Sequence, residues 1–360
     1  MTQLRLTTNP GMEDVLEQEF RNKASQAGCK IATIQRKPFH LDGQIFVESS
    51  DPTLEEVAFQ ARSAFHIMRH LYPFYKSPEV DFLDQIYQEI QALDIPEMES
   101  AKAFRVTTKR SGQHLFNSME VQRIAGATLV ERYGKAVDLN HPDVNVRVDI
   151  FDNLCLVSLQ LTKTSLSRRH QKVWLPRITI KTTMAYGLLH LCELEGEGHL
   201  LDPFCGSGTI LIEAGTVFPH LELYGSDRRK EAVEGAKANL EANHLSHRGH
   251  LKQLDARDLD QGYSANYFRA IVTNPPYGMH LGPDIDFFRL YLKLLEGAAN
   301  VLEPGGRMVL LVGKGHRLFK KLIYKLGTFA IHHERIVETG DVYPHLLICD
   351  LKQEAKERQT

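Results

Sequence analysis

The chain carries no strong charge of either sign: 43 basic residues stand against 45 acidic ones, a net of −2. That balance does not mark a nucleic-acid binder and counts mildly against one. No apolar run approaches the roughly 20 residues a membrane helix needs, so no membrane partner is expected. The opening Met1-Thr2-Gln3-Leu4-Arg5 lacks an apolar stretch after its basic residue, and no secretory leader is expected. Five cysteines (Cys29, Cys155, Cys192, Cys205 and Cys349) are scattered without a Cys-x-x-Cys pair. The pattern indicates neither a disulfide framework nor a zinc site and fits a reducing cytoplasm. The histidines lack metal-ligand spacing, so no metal is expected. There is one tryptophan, Trp174, and no internal repeat.

The distribution of charge says more than its sum. From Lys163 to Cys192 there is no Asp or Glu, yet Lys163, Arg168, Arg169, Lys172, Arg177 and Lys181 fall there. From Ser100 to Met119 acids are again absent, while Lys102, Arg105, Lys109 and Arg110 are present. Such blocks can neutralise phosphates, which makes Lys109, Arg110, Lys163, Arg168, Arg169, Lys172 and Arg177 the candidate nucleic-acid contacts. The alternative for each block is a solvated face. Trp174 could stack on a base or pack between domains.

A length of 360 residues calls for two or three domains. The first segment reads strand (Gln3 to Thr7), helix with Met12, Val15, Leu16 and Phe20 at helical spacing, two short strands (Ile31 to Ile34 and Ile45 to Val47), then a helix from Asp51-Pro52-Thr53 through Ala64. This is the order of a small ferredoxin-like unit. A second segment offers helices at Phe82 to Leu93 and Met119 to Tyr133, a β-rich Phe104 to Thr108, and a hairpin (Val144 to Ile150, Leu154 to Leu161) around Asp152-Asn153. From about Ile178 strands alternate with helices. The strands expected are His199 to Leu201, Leu221 to Tyr224, His250 to Leu254, Ala270 to Thr273 and Met308 to Val312, the last after a Pro304-Gly305-Gly306 turn. That alternation argues for an α/β architecture with a doubly wound, mainly parallel sheet.

Leu201-Asp202-Pro203-Phe204-Cys205-Gly206-Ser207-Gly208-Thr209 reads as strand, glycine turn and helix start, where such a sheet cradles a nucleoside cofactor. Gly206 and Gly208 let the backbone approach a ligand. A carboxylate at Asp202 would repel a pyrophosphate but suits the ammonium of an amino-acid moiety, as in S-adenosylmethionine. Asp227 ends the next strand, where an acid takes ribose hydroxyls. Asp255 ends the third and could accept from an adenine amine. The bland reading is three acids capping helices on exposed loops.

Asn274-Pro275-Pro276-Tyr277 follows Ile271-Val272-Thr273 and so projects from the same sheet edge. An exocyclic amine on a base is a poor nucleophile because its lone pair is delocalised. The Asn274 amide oxygen and the Pro275 carbonyl can each accept one N–H and aim that lone pair at a methyl donor. Pro275 and Pro276 stiffen the acceptors in advance, and Tyr277 can stack on the base and hold it in line. Cys205 would serve a base-carbon methylase as covalent nucleophile, a weaker alternative.

These residues resemble the class I S-adenosylmethionine-dependent methyltransferases that methylate amino groups. The resemblance extends over nearly the whole chain. Asn9-Pro10-Gly11-Met12-Glu13 is similar to the opening of an N-terminal ferredoxin-like domain, and Phe104 through Arg110, His114, Phe116 to Val121, Gly126 and Val137 to Leu139 resemble a THUMP domain. The set as a whole is similar to the bacterial and archaeal THUMP-containing tRNA guanosine-N2 methyltransferases that act at position 6 of the acceptor stem. The resemblance implies a Rossmann-like class I methyltransferase domain behind ferredoxin-like and THUMP (α+β) domains. The expected borders are 1–70, 71–165, a basic linker 166–180 and 181–360. It implies Asn274, Pro275, Pro276 and Tyr277 as the catalytic loop. Asp202, Phe204, Gly206, Gly208, Asp227, Asp255 and Ala256 become cofactor contacts, with Pro203, Ser207 and Thr209 of the same turn. It also implies a cytoplasmic monomer that holds the tRNA acceptor stem and 3′ CCA end. The motif alone leaves guanine N2 and adenine N6 open, in tRNA or ribosomal RNA. The non-enzyme alternative is an RNA-binding module with a vestigial cofactor fold.

Overall fold

Two sheets organise the chain, described in a computed structural model over residues 1–278, 285–340 and 342–353. The first half runs β1 (Thr2–Thr7), α1 (Glu13–Ala27), β2 (Thr33–Arg36), β3 (Gln44–Ser49), α2 (Leu54–Phe59) and β4 (His66–Tyr75). It continues with α3 (Phe82–Ala92), α4 (Pro96–Ser100), β5 (Ala103–Thr107), β6 (Arg110–Ser111), α5 (Ser118–Tyr133), β7 (Ala136–Val137), β8 (Val144–Phe151) and β9 (Leu154–Gln160). These strands form one nine-stranded sheet in the order β2-β3-β1-β4-β9-β8-β5-β7, with β6 beside β8. Local signals set the element ends. Asn117 accepts from the Met119 and Glu120 amides while Glu120 reaches back to the Asn117 amide, a capping box on α5. Gly134, at φ +64°, terminates the same helix.

Strand β4 is shared between the two expected N-terminal domains. It pairs with β1 on one side (Leu4 opposite Arg69) and β9 on the other (Phe74 opposite Cys155), so the border expected at residue 70 falls inside it. A buried ion pair crosses the same seam, Arg5 on β1 to Asp149 on β8 at 2.9 Å. Arg147 donates to the second Asp149 oxygen at 2.7 Å.

Helix α2 stops at Phe59 rather than continuing to Ala64. The reason is a competing acceptor. The Glu19 carboxylate takes the backbone N–H groups of Arg62 (2.7 Å) and Ser63 (2.9 Å), which turns the chain out of the helix.

The second half begins with α6 (Thr182–Leu191). It continues β10 (Gly198–Asp202), α7 (Thr209–Val217), β11 (Leu221–Asp227), α8 (Lys230–Ala242), β12 (Gly249–Gln253), α9 (Leu259–Gly262), β13 (Phe268–Thr273), α10 (Phe287–Val301), β14 (Leu302–Val312), α11 (His316–Leu326), β15 (Phe329–Ile336) and β16 (His345–Leu351). The order across the sheet is β12-β11-β10-β13-β14-β16-β15. The first five are parallel, as the alternation leads one to expect. Strand β16 runs antiparallel between β14 and β15. Pro304-Gly305-Gly306 is looped out of β14, since Phe268 pairs with Leu302 while Ala270 pairs with Arg307. The chain reverses its winding between β10 and β13, and the carboxyl ends of those strands frame a crevice.

The two halves share a core. Met12 and Val15 pack in one apolar cluster with Met184, Ala185 and Leu188 of α6 and with Val337. A Cβ on Gly187 would lie 2.3 Å from Met12 Cε, so the glycine makes room for that methionine. Asn9-Pro10-Gly11 is also bonded to the second half: Asn9 Nδ2 donates to the Glu338 carbonyl (2.8 Å) and the Glu338 amide to the Pro10 carbonyl (3.0 Å).

Candidate active site

A cavity of about 640 Å³ opens at the carboxyl edge of the second sheet. Its wall includes Asp202, Pro203, Phe204, Gly206, Ser207, Thr209, Asp227, Asp255, Ala256 and all of Asn274 to Tyr277. Of the expected cofactor contacts, Gly208 alone is absent from the wall. It takes φ +75°, and a Cβ there would meet Leu240 and Ala236 of α8 at 3.0 and 3.3 Å. Gly208 therefore serves the turn and the helix packing behind it.

Asp202 is fully buried at the end of β10. One oxygen accepts from Thr273 Oγ1 (2.6 Å) and from the Phe204 amide (3.1 Å). Burial pushes its carboxyl up to about 7, and the neighbouring Asp227 pushes the same way against those two hydrogen bonds. Among the described residues no cation pairs with it. A buried acid in that condition is suited to an incoming ammonium. Asp227 fastens the turn, accepting from the Gly206 amide (3.3 Å) and the Arg229 amide (2.9 Å). Asp255 is held by Arg257, whose Nε and Nη2 donate at 2.9 and 2.7 Å, and its carboxyl lies below its usual range for that reason.

Asn274 Oδ1 is buried and has no hydrogen-bond partner among the described residues. A buried unpaired amide oxygen costs about 1–3 kcal/mol, so its retention at a cavity wall points to a ligand N–H. Tyr277 lies against Gly313 at the end of β14, where an added Cβ would fall 2.8 Å from Tyr277 Cβ and Cγ. Burial raises the Tyr277 hydroxyl above its ordinary value, so the ring is neutral. Cys205 is buried, and burial raises its thiol, so no thiolate nucleophile is available.

Other lining residues carry no motif that sequence reasoning could find. Thr339, Gly340 and Val342 come from the connection between β15 and β16, and Thr179 from the linker. Thr179 Oγ1 lies 2.9 Å from Ser207 Oγ and 3.2 Å from Thr209 Oγ1, a hydroxyl cluster in the glycine turn. Gly313 was equally invisible, since only its contact with Tyr277 reveals its role.

The basic candidates divide. Lys109, Lys163, Arg168 and Arg177 are exposed, and none has an ion-pair partner among the described residues. Arg110 is half-buried, donating to the Gly112 carbonyl and meeting His114 Nδ1 at 2.9 Å. Arg169 and Lys172 do not act as free phosphate contacts. Arg169 donates to both oxygens of Glu213 (3.1 and 3.2 Å) and to the carbonyls of Arg62, Leu166 and Thr182. Lys172 donates to Thr209 Oγ1 at 2.7 Å, and burial, then Lys181, brings its ammonium down to about 8. Trp174 packs on α8: a Cβ on Gly235 would lie 2.2 Å from its ring, and Asn239 bonds its backbone N–H and C=O.

Glu213 on α7 is the centre of the linker's attachment. Arg62 from the first half donates to it at 2.6 Å, and His170 Nε2 lies at 2.6 Å beside Arg169. Burial alone would raise this carboxyl, but His170, Arg62 and Arg169 together hold it down to about 2.

Sheet order, glycine turn and orphaned amide acceptor define a Rossmann-like class I methyltransferase, a class whose methyl donor is S-adenosylmethionine. Residues 169–345 match the RMKL-like methyltransferase domain and residues 80–160 the THUMP domain. Over 96% of its length the chain is 35% identical to the tRNA (guanine(6)-N2)-methyltransferase of Thermus thermophilus, covering 99% of that protein. Over 95% it is 26% identical to the enzyme of that name from Archaeoglobus fulgidus, covering 90% of it. The crystal structure of TrmN from Thermus thermophilus superposes with a TM-score of 0.80 at 32% identity, across 98% of this chain and 100% of that one. The chain belongs to the family of THUMP-containing methyltransferases that includes these tRNA (guanine(6)-N2)-methyltransferases. Among the described residues no helix is long and apolar enough to cross a membrane, and no group of three His, Cys, Asp or Glu could hold a metal.

Proposed function

We propose that this chain transfers a methyl group from S-adenosylmethionine to the exocyclic N2 of a tRNA guanosine, at position 6 of the acceptor stem. The observation that carries the chemistry is the buried Asn274 Oδ1 on the cavity wall, unpaired among the described residues. The substrate follows from the relatives that share nearly the whole chain. When bound, the cofactor supplies an electrophilic sulfonium methyl. Asp202 would hold its ammonium, Asp227 its ribose hydroxyls, and Asp255 with Ala256 its adenine.

Asn274 Oδ1 and the Pro275 carbonyl each accept one N–H of the base amine, which localises the nitrogen lone pair and aims it. Pro275 and Pro276 hold both acceptors before the base arrives, so little reorganisation is left for the transition state. Tyr277, fixed by Gly313, stacks on the base. A paired guanine must first leave the helix, at a cost of a few kcal/mol. Exposed Lys109, Lys163, Arg168 and Arg177 grip phosphates and position the RNA without reading its sequence. The same reading has the enzyme act as a cytoplasmic monomer with the 3′ CCA end on the THUMP region, and its five free, buried cysteines suit a reducing compartment.

The test is incubation with labelled cofactor and separate tRNA and ribosomal RNA pools, followed by nucleoside mass spectrometry. N2-methylguanosine in tRNA is the expected product. Label only in adenosine, only in ribosomal RNA, or in neither pool overturns the proposal.

A further inference from the structure

A third acid-free stretch lies outside the two noted in the sequence. From Pro304 to His333 there is no Asp or Glu, while Arg307, Lys314, Arg317, Lys320, Lys321 and Lys325 all fall there. Two of these are neutralised in the fold. Arg307 pairs with Asp350 and Glu193, and Lys320 with Glu334. Lys314, Arg317, Lys321 and Lys325 are exposed and have no acidic partner among the described residues.

The spacing of four places Arg317, Lys321 and Lys325 on one stripe of α11 (His316–Leu326), with Lys314 just before its N-cap Gly315. From Arg317 to Lys325 the stripe is about 12 Å long at 1.5 Å per residue. The opposite face of the helix, with Phe319, Leu322 and Ile323, is buried. A solvated helix face ordinarily intersperses acids at these spacings, which offset the mutual repulsion of its cations. This one has none, and the repulsion is left for a polyanion to relieve.

Location gives the stripe a purpose. Helix α11 leaves the carboxyl end of β14 immediately after Gly313, the residue that backs Tyr277. The Lys314 carbonyl accepts from the Tyr291 hydroxyl at 2.7 Å, which fixes where the stripe begins. Helices α10 and α11 pack in one apolar cluster, whereas Met12 and Val15 of the first half pack with α6 in another, on the opposite face of the sheet. The stripe therefore starts at the carboxyl edge of the sheet, beside Gly313, and lies on the face opposite the one that Met12 and Val15 cover.

We infer that this face of α11 is a second track for the RNA backbone, gripping phosphates next to the nucleotide that enters the cavity. The inference rests on the proposed RNA substrate. It divides the grip between the two sides of the pocket, so that the strand crosses the carboxyl edge of the sheet rather than hanging from the N-terminal half.

The test uses the full chain carrying Arg317→Gln, Lys321→Gln and Lys325→Gln together, with tRNA binding measured across a salt series. Binding about tenfold weaker is expected, with the slope of log K against log salt shallower by about 2–3, as three lost phosphate contacts require. The melting temperature and the affinity for S-adenosylhomocysteine should stay as in the parent. A triple variant that binds tRNA with the parental affinity and slope overturns the α11 track alone. A parent protein that binds no RNA in the same series takes the substrate reading down with it.

Discussion

The Thr273 hydroxyl donates to Asp202 across 2.6 Å, tying the carboxyl ends of the two strands between which the sheet reverses. Thr273 directly precedes Asn274, so the bond sets the spacing between the acid expected to meet the cofactor's ammonium and the amide expected to meet the base.

Asp202 makes cofactor affinity depend on pH. With its carboxyl at about 7 in the folded protein, against 3.8 ordinarily, it is largely protonated below neutrality. Binding an ammonium requires the ionised form, so affinity for S-adenosylhomocysteine should rise about tenfold per pH unit below 7 and level off above it. The raised value also means that stability of the ligand-free protein is full below about 4 and is lost as pH climbs through 7. Asp202→Asn should then gain on the order of 2–4 kcal/mol at neutral pH while binding the ligand weakly and without pH dependence. Calorimetric titration across the range checks both, and a pH-independent parent would refute the assignment.

Asn274→Ala should separate chemistry from binding. Loss of one preorganised acceptor lowers the single-turnover rate about 10²–10³-fold, while S-adenosylhomocysteine affinity stays within about twofold, since a residue that meets the base adds no ground-state binding of the cofactor. Rapid-quench label transfer to tRNA is the measurement. A rate close to the parent's would remove Asn274 from the mechanism.

Gly313→Ala should damage activity more than stability. The added methyl meets Tyr277 Cβ and Cγ at 2.8 Å and must push the ring off its seat. A tenfold or greater fall in rate is expected from so small a misplacement, with about 1–3 kcal/mol lost from overpacking. Gly126→Ala is the comparison. Its nearest neighbour is 4.0 Å from the new Cβ, and an alanine inside α5 should be neutral or stabilising.

Glu213→Gln should loosen the join between the halves. Breaking a buried pair typically costs about 3–5 kcal/mol, because the remaining charges are left uncompensated. Here Arg62, Arg169 and His170 are the groups left behind. Because this carboxyl is held at about 2 instead of 4.5, its contribution is fully present above 4.5 and disappears as pH falls toward 2. Urea denaturation of parent and variant at neutral and acid pH should therefore show a gap that closes on acidification. A gap that persists at pH 2 would contradict the clasp.

Much of this protein was legible locally. Hydrophobic period, the Asn117 cap, the Gly134 stop and the Gly206 turn act over a few residues, so the sequence alone determined most elements (though not β4, β15 or β16), the doubly wound sheet and the strand ends carrying Asp202, Asp227, Asp255 and Asn274. Tertiary structure decided what depends on distant neighbours. Strand β16 reads as a buried strand in either direction, and only its short return from β15 makes it antiparallel. Arg169, Lys172 and Lys163 look alike in a basic run, but Glu213 and Thr209 lie 44 and 37 residues away from the first two and engage them in hydrogen bonds, leaving both half-buried. A charge in sequence is only a count; whether it faces solvent or a buried partner is settled by long-range packing, and that is why the choice of basic residues left free for a polyanion was the part the chain could not declare by itself.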